Sequence, residues 1–356
     1  MYNLLVQCSS CQLEAPVYRG ETCAANVLEE VQMKAAIVKA PGSNPVYGDF
    51  AEPVARDGFT VVHVKASALS HLTRSRASGS HYSSEGAFPA VAGTDGAGIT
   101  KDGERVYFAL PQAPFGALAE QSLVSTRHCI PLPDDLDDVT AAAIANPGMS
   151  AWAALVERAH LQPAETVLVN GATGTAGRIA VQLAKYLGAR KVIATGRNEA
   201  ELEEVKTLGA DVVIPFSVGA LHPFAAKQYE EALIEEFGKG VDAVVDYLWG
   251  KSARSIIAAI AKGVEDATPV RFVHVGGASG EESIDLPGAG LRSSSIVLMG
   301  SGAKSVPLPT LLNAVKNTFD AVGPAKLCIA TKAVPLSEVE SYWNAPGKPR
   351  VVFTLS

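Results

Sequence analysis

The stretch from about residue 149 to residue 324 limits the possible folds most, because short apolar runs alternate there with amphipathic segments. The apolar runs predict β-strands, and the segments between them predict helices. The predicted strands are 166–170, 191–195, 211–214, 241–247, 270–275 and 296–299. Continuous apolar strands separated by helices indicate a parallel sheet with helices on both faces. The sequence therefore predicts an α/β, doubly wound (Rossmann) domain, with its ligand crevice at the carboxyl ends of the strands.

The flanking segments have a different pattern. Residues 33–148 contain short runs of β-branched residues interrupted by glycine and proline, which are typical of a strand-rich domain. Strand-like segments return at 326–330, 333–334 and 350–354, after a predicted helix at 309–320. They are too few for a domain of their own, so we expect them to pair with the first domain. The prediction is a Rossmann domain at 149–324, beginning with a helix at 149–160, inserted into a domain made of 33–148 and 325–356.

The first 32 residues differ from the rest and are predicted to be a poorly ordered N-terminal extension. They contain three of the five cysteines, Cys8, Cys11 and Cys23. A metal or redox pair at Cys8 and Cys11 is one interpretation, and a chance pair in a tail is the other, which we favour because further ligands at set spacing are lacking. The extension is acidic and fits neither a signal peptide nor a transit peptide. A cytoplasmic location is expected.

Charge and hydropathy exclude several classes of partner. The formal net charge is −7 and no basic run stands out, so nucleic acid and anionic membrane surfaces are not expected as partners. The longest apolar run, 139–156, contains Asn146 and Pro147. It is a poor membrane span, and we interpret it as buried structure.

A glycine-rich loop follows the first predicted strand of the α/β segment and leads into a helix. Its sequence is Gly171-Ala172-Thr173-Gly174-Thr175-Ala176-Gly177. Small residues let the backbone approach a pyrophosphate, and a helix N-terminus offers free N–H groups. Ala172 stands where the usual fingerprint has its first glycine. A plain strand-to-helix turn is the alternative, but the following βαβ unit favours dinucleotide binding.

The end of the second predicted strand indicates which dinucleotide binds. NAD sites usually place Asp or Glu there to bind the ribose 2′-hydroxyl. Here the strand ends in Gly196, Arg197 and Asn198. Arg197 can pair with a 2′-phosphate, although a solvated loop arginine would look the same. The pattern predicts NADPH as the cofactor.

Several further motifs, taken in order, resemble the medium-chain dehydrogenase/reductase superfamily and most closely its zinc-independent quinone oxidoreductase branch. The resemblance covers residues 33–356 and rests on 93–98 (GTDGAG), 105–107 (RVY), 115–120 (FGALAE) and 146–152 (NPGMSAW). It departs from the family pattern at Leu118, where an aromatic residue is usual. The resemblance implies that the first domain is a GroES-like catalytic domain. It also implies that the nucleotide is approached by Asp246, Tyr247, Gly276, Gly277 and Ser301.

The zinc alcohol dehydrogenases of the same superfamily are the alternative within this fold. Ser70, Thr94 and Asn146 stand at the positions that match the catalytic zinc ligands. Hydroxyl and amide groups would hold zinc poorly. His71 and Asp95 neighbour two of these positions, either as displaced ligands or, as we prefer, as a polar pocket wall. We expect no metal.

The resemblance implies hydride transfer from NADPH to a quinone or an α,β-unsaturated carbonyl. The protein would position the acceptor, exclude water and polarise the carbonyl. Tyr82, which resembles the pocket tyrosine of this branch, is the first candidate for an acid or polarising group, followed by His71 and Ser70. Thr94 and Asn146 are expected to line the same cavity, together with Tyr107, whose alternative role is strand packing.

Two other functions stay open at this point. One is an enoyl reductase that acts on a thioester or polyketide chain, which would need a larger groove. The other is a non-catalytic NADPH sensor or a structural protein built on the same fold. The resemblance also implies a homodimer. The apolar strand 296–299 is the candidate for the dimer contact, because an unpaired apolar edge strand promotes aggregation.

Overall fold

The computed structural model describes residues 31–79, 88–216 and 223–356. The predicted α/β segment folds into a six-stranded sheet in which every neighbouring pair is parallel. Its strands are β9 (Thr166–Asn170), β10 (Lys191–Gly196), β11 (Val212–Pro215), β12 (Ala243–Asp246), β13 (Pro269–His274) and β14 (Ser295–Gly300). Their order is β11-β10-β9-β12-β13-β14. This is the doubly wound order, which reverses direction between β9 and β12 and opens a crevice there.

Helices alternate with these strands as the amphipathic pattern predicts. They are α3 (Thr175–Tyr186), α4 (Glu199–Thr207), α5 (Pro223–Gly238), α6 (Gly250–Gly263), α7 (Gly288–Arg292) and α8 (Leu308–Val322). All five residues of β9 are buried, because helices cover both faces of the sheet. The predicted fold class is confirmed.

The strand-rich part forms two further sheets. Its strands are β1 (Gln32–Val38), β2 (Val46–Ala51), β3 (Phe59–Ala68), β4 (Ala90–Val91), β5 (Asp95–Thr100), β6 (Arg105–Ala109), β7 (Gln121–Ser125), β8 (Cys129–Pro131), β15 (Thr331–Pro335) and β16 (Arg350–Thr354). Strands β2-β1-β4 form one sheet, and β15-β16-β3-β5-β6-β8 form the other, with β7 also paired to β3. Two short helices, α1 (His71–Ala77) and α9 (Val339–Tyr342), accompany them. As predicted, the C-terminal segment returns to the first part, since β16 pairs antiparallel with β3.

The predicted strand 326–330 is wrong. Lys326 has a positive φ of 50°, and residues 327–330 have no regular structure. The backbone of Cys328 bonds instead to the Gln182 side chain, whose Oε1 accepts from the Cys328 N–H at 2.8 Å. The amide nitrogen of Gln182 donates to the Cys328 carbonyl at 3.1 Å. A side-chain amide thus takes the hydrogen bonds that a neighbouring strand would have made.

The predicted helix 149–160 is only the second half of a longer one. Helix α2 (Asp138–Trp152) begins after Asp137, whose carboxylate accepts from the Thr140 N–H at 2.9 Å, and it runs through Pro147. It continues as a π-helical segment, Ala153–Arg158. The predicted helix began after Pro147, because proline usually interrupts a helix. The helix in fact begins before Pro147, where Asp137 caps its N-terminus.

Helix α2 contacts both parts of the chain. It packs against α3 and α8 and also against β3 and β5. Residues Gln32–Ser356 form one compact unit. The predicted boundary between 148 and 149 falls inside α2, so the division into 33–148, 149–324 and 325–356 stays a prediction. The predicted extension and its cysteine pair lie outside the described residues, apart from positions 31 and 32.

The apolar run at 139–156 is buried structure, as predicted. Within the described ranges, the helical stretch Asp138–Arg158 is long and apolar enough to satisfy a membrane-span criterion, but 61% of its most apolar window is buried inside the protein. These side chains therefore serve as core. The cytoplasmic location stays a prediction.

Candidate active site

The ends of β9 and β12 carry a buried polar network at the point where the strand order reverses. The side-chain amide of Asn170 donates to Asp246 Oδ1 at 2.7 Å. Asp246 is completely buried and also accepts from the backbone N–H groups of Leu248 and Trp249, each at 3.1 Å. His274 Nδ1 lies 3.0 Å from Asp246 Oδ2. The carboxylate therefore fixes the loops that leave three strands of the sheet.

The glycine-rich loop lies between β9 and α3 and presents backbone rather than side chains. The N–H groups of Gly171 and Ala172 both donate to the Thr195 carbonyl, at 3.1 and 2.9 Å. Gly171 has a φ of 86°, which favours glycine. Helix α3 starts at Gly174 with no side-chain cap from the described residues. Its first N–H groups are therefore available to an anion.

One cavity of about 540 Å³ brings the predicted cofactor loop together with Ser70 and His71, two of the three predicted catalytic residues. It is lined by Leu69, Ser70, His71, Leu72 and Arg74 from the region of α1; by Asn146, Pro147 and Ser150 from α2; by Gly171, Gly174, Thr175, Ala176 and Gly177 from the glycine loop; by Tyr247, Leu248, Val275, Gly276, Gly277 and Ala278 after β12 and β13; and by Pro346, Gly347, Lys348, Arg350 and Val351 near β16. The strand-rich part and the Rossmann sheet both contribute walls. A dinucleotide on the loop would thus face Ser70, His71 and Asn146.

The remaining predicted cofactor residues do not line this cavity. They are Ala172, Thr173, Gly196, Arg197, Asn198, Asp246 and Ser301. Arg197 is exposed. Asn198 caps α4 by accepting from the Glu201 N–H at 3.2 Å. The Ser301 N–H donates to the His274 carbonyl at 2.8 Å. Asp246 supports the cavity wall from behind.

Ser70 and Thr94 are joined by a chain of hydroxyl groups. Ser70 Oγ lies 2.9 Å from Thr73 Oγ1, which lies 3.2 Å from Thr94 Oγ1. Thr94 donates to Asp95 Oδ1 at 2.6 Å. Ser70 lines the large cavity, whereas Thr94 lines a small one of about 90 Å³. Thr94 thus lies behind Ser70 and does not line the large cavity, and its expected place in the substrate pocket stays a prediction.

Tyr107 is also absent from the residues that line the large cavity, because β6 directs it into the core. Its hydroxyl donates to Asp95 Oδ2 at 3.1 Å, and its ring meets Phe319 edge-on at 5.6 Å. Burial, together with the Asp95 carboxylate, raises the pKa of Tyr107 well above its ordinary value. The packing role is the one that the structure supports. Tyr82 lies outside the described residues, so its role stays a prediction.

Besides Arg74, two further cations that the sequence reasoning missed line the cavity near β16. Arg350 is 7% exposed, and among the described residues its Nε and Nη2 have no hydrogen-bond partner. Burial lowers its pKa, while the charges of Asp95 and Tyr107 oppose that shift. Lys348 is the second cation. In the sequence, Lys348 and Arg350 appear only as two basic residues that flank Pro349. They lie at the start of a strand that was assigned to the strand-rich domain and not to the nucleotide-binding domain.

The electrostatics of the cavity affect His71. Its pKa is lowered because the cavity wall desolvates the ring and because Arg74 and Arg350 add positive potential. The lowered pKa favours the neutral ring, which can donate one N–H. Burial raises the pKa of Asp95, and hydrogen bonds from Thr94 and Tyr107 and the charge of Arg350 oppose that rise. Within the described ranges, no group of three or more His, Cys, Asp and Glu could hold a metal ion.

Several known proteins have sequences similar to this chain. Residues 176–317 match the family model of the zinc-binding dehydrogenases, a range that excludes Ser70, Thr94 and Asn146. A probable NADPH-dependent quinone reductase of Emericella nidulans is 27% identical over 355 residues, which span 88% of this chain and 96% of that protein. A 2-haloacrylate reductase of a Burkholderia species is 30% identical over 258 residues, 65% of this chain and 74% of that protein.

The fold has solved counterparts. The quinone oxidoreductase of Thermus thermophilus, whose structure was determined alone and with NADPH, superimposes with a TM-score of 0.72 at 24% identity, over 91% of this chain and 100% of that one. The chain belongs to the medium-chain dehydrogenase/reductase superfamily, in its quinone oxidoreductase branch. The resemblance inferred from the sequence is confirmed.

Proposed function

We propose that this protein reduces a quinone or an α,β-unsaturated carbonyl with NADPH, without a metal ion. The observation that carries the proposal is the shared cavity, in which the glycine loop faces Ser70, His71 and Asn146. The names of the relatives, a quinone reductase and a haloacrylate reductase, describe reduction of conjugated acceptors. The chemistry of the cavity and the proteins that this chain resembles therefore both support an oxidoreductase of the quinone reductase type.

The residues present fit a phosphorylated dinucleotide. The uncapped start of α3 and the glycine loop offer backbone N–H groups to a pyrophosphate. Arg350 adds a buried guanidinium with unpartnered N–H groups among the described residues. A buried cation of this kind is costly unless an anion approaches it. Arg197, at the end of β10, is the proposed contact for the 2′-phosphate.

Side chains of this protein would position the acceptor and deliver a proton to it. When bound, the reduced nicotinamide supplies the hydride. Among the donors in the described cavity wall, the His71 ring and the Ser70 hydroxyl are the two proposed to polarise the acceptor carbonyl. Ser70 would also deliver the proton and regain one through Thr73 and Thr94 from a protonated Asp95, which would end as the carboxylate that accepts from Thr94. Tyr82 stays a second candidate donor.

Zinc independence is part of the proposal. Ser70, Thr94 and Asn146 supply hydroxyl and amide oxygens, and these are poor zinc ligands. Thr94 Oγ1 is already committed to Asp95 at 2.6 Å. The purified protein should therefore contain less than stoichiometric zinc by elemental analysis, and chelator should leave turnover unchanged.

A homodimer is also proposed. Strand β14 ends the six-stranded sheet, and Val297 and Leu298 on it are 45% and 37% exposed. An apolar edge strand favours pairing with a second copy. Pairing of two copies of β14 would continue the sheet across the dimer.

The test is oxidation of NADPH against a panel of quinones and enones, with NADH and Arg197→Ala measured alongside. We expect turnover with a preference for NADPH, and loss of that preference in Arg197→Ala. Turnover confined to thioester-linked enoyl substrates would favour the enoyl reductase. Tight NADPH binding with no turnover of any acceptor would favour the non-catalytic sensor, and absence of NADPH binding would refute the proposal.

A further inference from the structure

Lys348 reaches from the segment before β16 to the outer end of the glycine loop. Its ammonium group donates to the Thr173 carbonyl at 2.9 Å and to Glu201 Oε2 at 2.5 Å. The neighbouring Gly347 carbonyl accepts from Thr175 Oγ1 at 3.1 Å. This segment therefore touches both the proposed pyrophosphate loop and α4.

Glu201 stands where an acid matters for the choice of nucleotide. It lies in the first turn of α4, shortly after Arg197 and after Gly196, the last residue of β10. A Cβ on Gly196 would lie 2.7 Å from Thr173 Cγ2, so the end of β10 contacts the glycine loop. Glu201 is not the strand-end acid of NAD sites, but a carboxylate this near the end of β10 would repel a 2′-phosphate.

Lys348 cancels that repulsion. The two charged groups are in direct contact, and their side chains are 37% and 33% exposed. An ion pair this exposed contributes little to stability. Lysine nevertheless carries three N–H donors, of which Thr173 and Glu201 engage two, so one is left to turn toward a phosphate oxygen. Lys348 also lines the large cavity and is therefore accessible from it.

We propose that Lys348 determines the preference for NADPH by neutralising Glu201 and by binding the 2′-phosphate together with Arg197. The inference rests on the proposed function, since it concerns the nucleotide of the same site. It assigns cofactor selection partly to a residue outside the Rossmann sheet. The strand-rich part would therefore bind the 2′-phosphate, which distinguishes NADPH from NADH.

The experiment measures dissociation constants of NADPH and NADH by titration calorimetry, with no acceptor present. For Lys348→Met we expect the NADPH constant to rise about tenfold, because one charge-assisted contact is lost and Glu201 becomes unpaired. The NADH constant should change by less than about twofold, because NADH has no 2′-phosphate for the lysine to bind. For Glu201→Gln the preference should move further toward NADPH.

Lys206→Met is the matched control. Lys206 lies on α4 and pairs with Glu203 at 2.7 Å, in an exposed ion pair of the same kind. It should leave both constants unchanged. The double variant Lys348→Met/Glu201→Gln should recover part of the lost NADPH affinity, since the repelling carboxylate is gone.

The outcomes separate the two proposals. Suppose that wild type binds NADPH tightly and that Lys348→Met raises the dissociation constants of NADPH and NADH by the same factor. The lysine then only holds the loop in place and does not select the nucleotide, so the inference is overturned. Unchanged constants in Lys348→Met would overturn it as well. If wild type binds neither nucleotide, the proposed function itself fails and the inference fails with it.

Discussion

Gly177 lies so close to Gly171 that a Cβ on Gly177 would come within 2.3 Å of the Gly171 carbonyl oxygen. Helix α3 therefore packs directly on the turn that leaves β9. Gly174, at the start of the same helix, has more room, since a Cβ there would lie 3.4 Å from the same oxygen. Gly177 thus permits the packing of helix and turn, whereas Gly174 is proposed to face the nucleotide.

The first prediction separates these tasks. Gly177→Ala should destabilise the protein and weaken NADPH binding, because the turn and the helix must move apart. Gly174→Ala, at a φ of −71° that alanine accepts, should keep the thermal midpoint but weaken NADPH binding, because its methyl group enters the cavity. Thermal melts and calorimetric titrations measure both. Equal stability losses in the two variants would contradict this division.

The second prediction concerns Asp246. Asp246→Ala removes the acceptor of the Asn170 amide and of two backbone N–H groups. Because buried unpaired donors are costly, we expect a loss of about 2–4 kcal/mol in the free energy of unfolding. Denaturant titration measures it. Asp135→Ala, at an exposed loop position, should change it by less than about 0.5 kcal/mol, and a similar small change in Asp246→Ala would disprove the supporting role.

The third prediction concerns Arg350. Arg350→Met should raise the dissociation constants of NADPH and NADH alike, by roughly ten- to a hundredfold, because a buried charge-assisted contact common to both nucleotides is lost. This uniform effect contrasts with the selective one expected of Lys348. Arg127→Met, at an exposed position, serves as the control. An effect on NADPH alone would place Arg350 at the 2′-phosphate.

The fourth prediction is a pH dependence. Burial raises the pKa of Asp95 above 3.8, so the folded state binds its proton more tightly than the unfolded state. The stabilisation from this proton is complete below pH 3.8 and is lost as the pH rises through the raised pKa. The stability of wild type relative to Asp95→Asn should therefore fall as the pH rises from the acid range toward neutrality. Denaturant titrations at several pH values measure this, and a difference that grows with pH would contradict the assigned shift.

The fifth prediction tests the dimer. Val297→Lys places a charge on the edge strand β14 and should yield a monomer in sedimentation velocity, because the charge opposes strand pairing. Val54→Lys changes a valine that is 78% exposed away from this strand and should leave the assembly unchanged. A wild-type monomer would refute the proposed pairing.

Local pattern was sufficient for much of this protein. The alternation of apolar runs and amphipathic segments predicted the strands of the parallel sheet, and the loop from Gly171 to Gly177 predicted a nucleotide site that lines the large cavity. These signals are readable because neighbouring residues in the chain carry them, through strand composition, helix periodicity and the special conformations of glycine. The boundaries were less accurate, as the early start of α2 at Asp138 shows.

Tertiary structure decided the rest. Tyr107 lies in the core and Thr94 lies behind Ser70, because strand orientation sets where a side chain points. Lys348 reaches the glycine loop across 175 residues of sequence, because β16 returns to the first sheet beside the cavity. The Asn170–Asp246 pair depends on the register of β9 and β12. Such contacts follow from packing between distant segments, and no local pattern along the chain encodes them.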